Sequence, residues 1–284
     1  EMLNIMENKD IKQYDVNSLD YLYVYNEACR IALTDSYSYI GDPAFFNLPV
    51  DQMISKEFAA ERAQLINVDN KAAMEEVPKS DLPVEKLDPT AEDSKHIAVI
   101  DQYGNIVSTT NTLGNGWGCK FLAPGLGFYY NSHIGNLDHK NPDSPDYVMP
   151  GKRVRSTISP SLVLKDGNPI MAVGSPGSLA IPPAVAATIN NVLLYGMNIQ
   201  QAINLPRAMA ISRSKGLSTT TMTIEQPRFD ADLVAQLEAL GYKMKDVGEY
   251  NYAVGGIAAI YLDRENGKFY AGADPRRGYK ALAY

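Results

Sequence analysis

This chain of 284 residues is poor in the groups that most often mark a site. Its two cysteines, Cys29 and Cys119, lie far apart and outside any C-x-x-C spacing, which excludes a disulfide framework and a thiolate zinc site; both are expected to be packing residues. Its three histidines, His96, His133 and His139, lack ligand spacing, so no transition metal and no other cofactor is expected. Positive charge is in deficit: the formal net charge is −7 and no basic stripe occurs. Nucleic acid is therefore excluded as a partner, because a phosphate backbone rewards clustered Lys and Arg. Long apolar runs are missing as well, none approaching the ~18 residues of a membrane-spanning helix. Glu1-Met2-Leu3-Asn4 has neither the basic head nor the apolar core of a signal peptide.

What is present is an ordinary globular composition, 45% hydrophobic and 21% charged, with enough apolar mass for a real core. From Asn17 or Ser18, Leu22, Tyr25, Cys29, Ala32 and Leu33 recur at helical spacing, which predicts an amphipathic helix to about Asp35. Ser55 caps a second helix through Ile66, and residues 67–93, rich in Asp, Glu, Pro and Lys, read as an exposed connector. At Ser94 the character changes. β-type runs at 96–101 and 105–112, at 161–165 and 170–173, and at 256–262 and 268–272 are each joined by a short turn, predicting three hairpins and a largely antiparallel sheet. Pro182-Pro183 opens an apolar helix ending near Gly196, and Asp230 caps another that ends at Gly241.

Three segments carry chemistry. In Asp93-Ser94-Lys95-His96-Ile97-Ala98-Val99-Ile100-Asp101 a hydroxyl stands at the head of an apolar run that reads as a buried strand, and such a hydroxyl is a candidate nucleophile. Gly174-Ser175-Pro176-Gly177-Ser178 lies between a strand and a helix, where unpaired backbone N–H groups can hold an oxyanion; a plain strand-to-helix turn reads the same way. Pro150-Gly151-Lys152-Arg153-Val154-Arg155-Ser156-Thr157 places hydroxyls beside guanidinium groups, which suits a carboxylate ligand and equally suits a solvated basic turn.

These segments, with Gly104-Asn105-Ile106-Val107-Ser108, Leu205-Pro206-Arg207 and Ala273-Asp274-Pro275-Arg276, occur in the order found in gamma-glutamyltransferases, and the chain resembles that family over essentially its whole length. Upstream, Glu27-Ala28-Cys29-Arg30 and Tyr39-Ile40-Gly41-Asp42-Pro43 resemble the end of the family's large subunit. The resemblance implies an N-terminal nucleophile hydrolase: an α+β fold, a four-layer αββα sandwich that is incomplete here. It implies a precursor that cuts itself between Asp93 and Ser94. Residues 1–93 would then be the end of a large-subunit-like region and residues 94–284 a small-subunit-like catalytic region. It implies Ser94 as nucleophile, Thr112 as its supporting hydroxyl, Gly177 and Ser178 as the oxyanion hole, and Ser156 and Thr157 as the carboxylate-binding pair. Asn131 falls on a matching asparagine. The partners it implies are a gamma-glutamyl or related amide substrate and the remaining large-subunit portion, in the same precursor or as a separate chain.

Three positions depart from the family pattern. The nucleophile is serine followed by Lys95, where the family has two threonines; a cation close to the new amino group would favour its free base. Asn136 stands where the family has an aspartate that pairs with the substrate's ammonium, and Gly114, with Asn115 adjacent, stands near a family asparagine. Losing the carboxylate opposite an ammonium points to an acyl substrate without an α-amino group. The function that the resemblance implies is transfer of a gamma-glutamyl or similar carboxylate-bearing acyl group to water or an amino acceptor. Two alternatives stay open: an amidohydrolase acting on an N-acyl compound or dicarboxylic monoamide without an α-amino group, and a non-processing relative that serves as a binding or structural subunit.

Overall fold

A computed structural model describes residues 1–80, 82, 93–211 and 219–283, with Asp93 described by its backbone alone. Its helices are α1 (Met2–Asn8), α2 (Leu19–Tyr39), α3 (Val50–Met53), α4 (Lys56–Ala63), α5 (Ile181–Leu193), α6 (Ile199–Asn204) and α7 (Ala231–Ala239). Its strands are β1 (Asp93–Ile100), β2 (Ile106–Gly114), β3 (Ser161–Lys165), β4 (Asn168–Gly174), β5 (Ala208–Met209), β6 (Thr221–Ile224), β7 (Lys243–Asp246), β8 (Ala258–Asp263) and β9 (Lys268–Ala273).

The fold resolves into two compact units, each assembled from three stretches of chain. One comprises residues 1–91, 132–156 and 208–246; the other comprises 92–131, 157–207 and 247–284. The first unit is organised on α2. The Ser18 hydroxyl caps this helix by accepting from the Tyr21 N–H, and nearly its whole circumference is buried, from Tyr21 and Leu22 to Tyr37 and Tyr39. A helix buried all round has no solvent face for its charges, so each must find a partner. Arg30 forks onto Glu27, which also accepts from the Tyr242 hydroxyl at 2.6 Å. Asp35 receives both Nε and Nη2 of Arg62. These two pairs also hold residues 67–80: Arg30 donates to the Met74 carbonyl and Arg62 to that of Pro78, while Val77 is buried. The predicted connector is thus tied down over this part; residues 81 and 83–92 lie outside the described residues.

Strands β5 and β6 pair antiparallel and β6 and β7 pair parallel, with α7 as the crossover between the last two. That parallel pair is an exception within the largely antiparallel pattern expected, and α7 supplies the crossover that parallel neighbours need. The caps at Ser55 and Asp230 stand as expected, each accepting from a first-turn N–H.

The second unit carries all three predicted hairpins. β1 and β2 form a two-stranded sheet, and β3-β4-β8-β9 form an antiparallel sheet of four. Helices α5 and α6 pack against this larger sheet, and Asn198 opens α6 with a capping box shared with Gln201. Strand β1 begins three residues earlier than the apolar pattern indicates, because Ser94 pairs with Thr112 and Asp93 with Gly114. It is also buried on one face only. Ser94 and His96 point inward, whereas Ile97 and Val99 are exposed, together with Val107 on β2. The expectation of a buried strand holds for one face only, because successive side chains alternate faces and the buried positions are those of Ser94 and His96, not of Ile97 and Val99. Cys119 likewise corrects its reading: Cys29 is a packing residue but Cys119 is exposed. Among the described residues no helix is long and apolar enough to cross a membrane, and no group of acidic, His and Cys side chains could hold a metal ion.

Candidate active site

Ser94 lies near the head of β1, 4% exposed, and its hydroxyl has no hydrogen-bond partner among the described residues. A buried hydroxyl left unpaired costs free energy and calls for an explanation, of which a reactive role is one. Its cross-strand neighbour is Thr112, whose Oγ1 accepts from the Gly114 N–H at 3.0 Å. Between Asp93 and Ser94 the register shifts, Leu113 on β2 being passed over, so the peptide bond joining them lies at a bulge-like irregularity of the ladder. Bulges locally disrupt the ladder and recur beside active sites. Lys95, one residue on, projects to the opposite, exposed face.

Below Ser94 the inward row continues with His96 opposite Thr110 and Ala98 opposite Ser108. His96 Nδ1 lies 2.9 Å from the Thr110 hydroxyl, and the His96 N–H donates to the Tyr279 hydroxyl at 3.0 Å. Burial lowers the imidazole pKa to about 4, so the ring is neutral at physiological pH. Sequence reasoning passed over both residues. The signal for His96 was its spacing of two from Ser94 on a strand, which puts the pair on one face; Tyr279 carries no local signal.

Strand β4 ends at Gly174 and gives way to residues 175–178. Ser175 is fully buried; its hydroxyl donates to the Pro176 carbonyl at 2.6 Å and accepts from the Gly256 N–H at 2.9 Å, which fixes the loop against the segment before β8. Gly177 has φ +130°, and a Cβ there would meet the Gly255 Cα at 3.0 Å. Ser178 follows at φ +54°, a left-handed conformation that a residue with a side chain adopts only where its surroundings impose it. The buried turn Ser178–Ala180 then leads directly into α5.

Two motifs distant in sequence meet beneath this loop. Arg207 and Arg276 both reach the Asp274 carboxylate, at 2.7 and 3.1 Å, and Asp274 also accepts from the Ile257 N–H. Burial alone would raise the Asp274 pKa, but the two guanidinium groups outweigh it and hold the carboxyl below its usual range.

The other predicted residues are more scattered. Asn115 and Asn131 are exposed and bracket a loop that folds back on itself, with the Cys119 N–H donating to the Tyr130 carbonyl and Trp117 edge-on to Tyr129. Gly118 is required there, since a Cβ would fall 1.9 Å from the Tyr130 carbonyl oxygen. Asn136 closes a short turn, His133–Asn136, and is partly buried. Ser156 is exposed and Thr157 partly buried. The cations before them are already engaged. Arg153 donates through its backbone N–H and its guanidinium to Asp42, whose carboxyl it holds far below the usual range. Arg155 pairs with buried Asp146 at 2.8 Å and lies over the Tyr37 ring at 3.6 Å. Lys152 donates to the Tyr147 carbonyl and stands over the Phe46 ring. The guanidinium groups thus anchor the turn that carries Ser156 and Thr157.

In comparison with known proteins, the chain is 30% identical over 99% of its length to a glutathione hydrolase proenzyme of Bacillus subtilis, covering 48% of that protein. It is 33% identical over 73% of its length to an acylase proenzyme of a Pseudomonas strain, covering 36% of it. The chain therefore spans about half the length, or less, of these curated relatives. Among solved structures, a cephalosporin acylase from Bacillus halodurans superposes on 100% of the chain with a TM-score of 0.81 at 26% identity, the match covering 49% of that protein. An acivicin-inhibited gamma-glutamyltranspeptidase matches 65% of the chain with a TM-score of 0.57 at 31% identity, covering 99% of the matched chain. These likenesses bear out the α+β fold of the N-terminal nucleophile hydrolases. The Gamma-glutamyltranspeptidase family model matches residues 1–284, and the chain belongs to that family.

Proposed function

We propose that this chain is the catalytic part of a self-cleaving acyltransferase or amidohydrolase in which Ser94 is first the agent of cleavage and then the nucleophile. The observation that carries the reading is the buried, unpaired Ser94 hydroxyl at the Asp93–Ser94 bulge, opposite Thr112. In the precursor, Ser94 Oγ attacks the Asp93 carbonyl and the acyl group shifts from nitrogen to oxygen. Water hydrolyses the ester, leaving a carboxylate on Asp93 and a free α-amino group on Ser94. Such an amino group, of pKa ~7.7–8.0, takes the proton of its own hydroxyl near neutral pH.

In turnover, Ser94 Oγ attacks the substrate carbonyl, the N–H groups of Gly177 and Ser178 receive the oxyanion, and the amine leaves with the proton. Water or an acceptor amine then releases the acyl group and restores Ser94. The positive φ at both Gly177 and Ser178, in a loop fixed by the Ser175 hydroxyl, supports this role, since successive residues in such conformations suit the anion-binding concavities that backbone N–H groups form. Thr112 supports the nucleophile, and Ser156 and Thr157 receive the substrate's carboxylate, with Asn115, Asn131 and Asn136 as further contacts. The remaining large-subunit portion of the relatives completes the enzyme, from the same precursor or as a separate chain.

The acyl substrate of this reading is one without an α-amino group. Asn136 offers an ammonium no carboxylate, and the structural likeness to a cephalosporin acylase extends over the whole chain. Mass spectrometry of the full-length protein under denaturing conditions tests the core claim: a fragment beginning at Ser94 is expected, and a chain that stays intact sinks the enzyme reading. A paired assay with gamma-glutamyl-p-nitroanilide and its des-amino analogue tests the substrate. The analogue is expected to match or exceed the parent in kcat/KM, and a strong preference for the amino compound overturns the Asn136 argument.

A further inference from the structure

The hairpin that carries Ser94 is seated on the strand that leads into residues 175–178, and the seat is a polar interlock. Gly174, the last residue of β4, lies directly against the His96 imidazole: a Cβ at position 174 would fall 2.2 Å from the ring's Cε1 and 2.3 Å from Nδ1. No side chain larger than hydrogen fits there while the ring stays in place. One residue earlier, the Ser108 hydroxyl donates to the Val173 carbonyl at 3.2 Å and lies 3.5 Å from His96 Nε2. The ring's other edge meets Thr110, and the His96 backbone is pinned by Tyr279. Both polar edges of the imidazole thus face hydroxyls, and its flat face occupies the space that a glycine frees.

The chemistry of this arrangement is specific to a neutral, flat ring with two polar edges. An aliphatic side chain in its place would leave the Thr110 hydroxyl facing apolar surface, at a cost comparable to a lost hydrogen bond. A larger ring could not sit on Gly174 without moving β1. His96 does not touch a reacting atom in this geometry. It lies two residues from Ser94 on one strand and against the residue that opens the loop to Gly177 and Ser178 on the other.

We propose that His96 is the positioning residue that sets the depth and register of Ser94 relative to the Gly177-Ser178 loop, with Gly174 as the socket that receives it. This rests on the reading of Ser94 as nucleophile and deepens it, because nucleophile and oxyanion donors sit on separate sheets whose alignment needs a fixed point. Misplacing a reacting group by about 1 Å can cost about 10²-fold in rate.

The test uses the full-length precursor and its mature form. In Gly174→Ala the new methyl displaces the ring; self-cleavage is expected to slow and kcat to fall by at least about tenfold, with KM held within about twofold, as for an interaction expressed only in the transition state. His96→Ala removes the obstruction, so the double variant His96→Ala/Gly174→Ala is expected to be no slower than His96→Ala alone, a non-additivity expected of residues in direct contact. His96→Asn keeps a polar group toward Thr110 without the ring over Gly174, and so reads the role even where Gly174→Ala folds poorly; a lowered kcat at unchanged KM is expected. Additive effects in the double variant, or wild-type kcat in His96→Asn, overturn the proposal. A wild-type precursor that never cuts before Ser94 sinks the functional reading instead. A wild type that cuts, beside variants that cut equally fast, sinks only the role of His96.

Discussion

The surroundings of α2 and the inner face of the β1–β2 hairpin solve the problem of buried polarity in opposite ways. Along α2 every named charge is neutralised at short range: Glu27 takes both Arg30 and the Tyr242 hydroxyl, Asp35 takes Arg62, and each pair spends spare donors on a backbone carbonyl. On the hairpin the buried groups are neutral, a histidine between hydroxyls, and the one at the head of the row, Ser94, has no partner among the described residues. Although the Arg30 Nε and the Thr34 hydroxyl on α2 also lack a partner among the described residues, the paired charges there are committed, and removal of one strands another. An unpaired hydroxyl held by rigid neighbours is available for chemistry. On the proposed reading of Ser94, the difference separates the groups that hold the molecule together from the group that reacts.

The sharpest way to break this contrast is to remove the uncommitted group. Ser94→Ala is expected to abolish both self-cleavage, read by denaturing gel and mass, and turnover. The melting temperature should stay near that of an uncleaved wild type, because the lost hydroxyl made no hydrogen bond. Residual turnover in this variant would mean that another residue is the nucleophile.

The converse experiment removes a committed group. Glu27→Ala leaves the fully buried Arg30 guanidinium and the Tyr242 hydroxyl without their acceptor, and breaking a buried pair from one side costs ~3–5 kcal/mol. A drop in melting temperature on the order of 10 °C is expected, with the kcat of the remaining folded protein little changed. If the melting point holds while kcat collapses, the division between scaffold and site is misdrawn.

His96 lies between these extremes and yields a pH test. Its folded pKa of about 4 is below the usual value near 6.5, so the unfolded chain binds a proton in that interval that the folded chain refuses. The neutral ring contributes its full stability above pH 6.5, and that contribution declines as pH falls from 6.5 toward 4. The slope of melting temperature against pH across this window should therefore flatten in His96→Asn relative to wild type. Equal slopes would place the ring in water.

Much of this was legible in the sequence, and the parts that were not share a cause. Caps such as Ser18, Ser55 and Asp230, and the hairpin turns, are local signals, and the structure places them as read. The burial of β1 was misread because the apolar residues that announced it, Ile97 and Val99, lie on the exposed face, while the buried face carries Ser94 and His96. Alternation marks two faces without saying which is covered. The guanidinium groups of Arg153 and Arg155 looked like ligand donors because nothing local reveals that Asp42, 111 residues upstream, and Asp146 already hold them. The socket at Gly174 is likewise a contact between distant strands.

The smallest expected effect concerns Lys95, where sequence and structure pull apart most. Adjacent in sequence to the proposed nucleophile, its cation would depress the pKa of the new α-amino group if the two shared a face. They do not: Ser94 is buried and Lys95 is exposed on the other side of the strand, where water and salt screen its charge. Lys95→Thr should therefore leave stability within ~0.5 kcal/mol and move the acidic limb of the kcat/KM profile by less than about half a pH unit. The direction is fixed by the sign of the lost charge: removing a cation makes the ammonium easier to keep, so the limb moves to higher pH. A shift of a full unit or more would mean that cleavage swings Lys95 toward the new terminus, and that the two faces of β1 are less independent than the precursor geometry makes them.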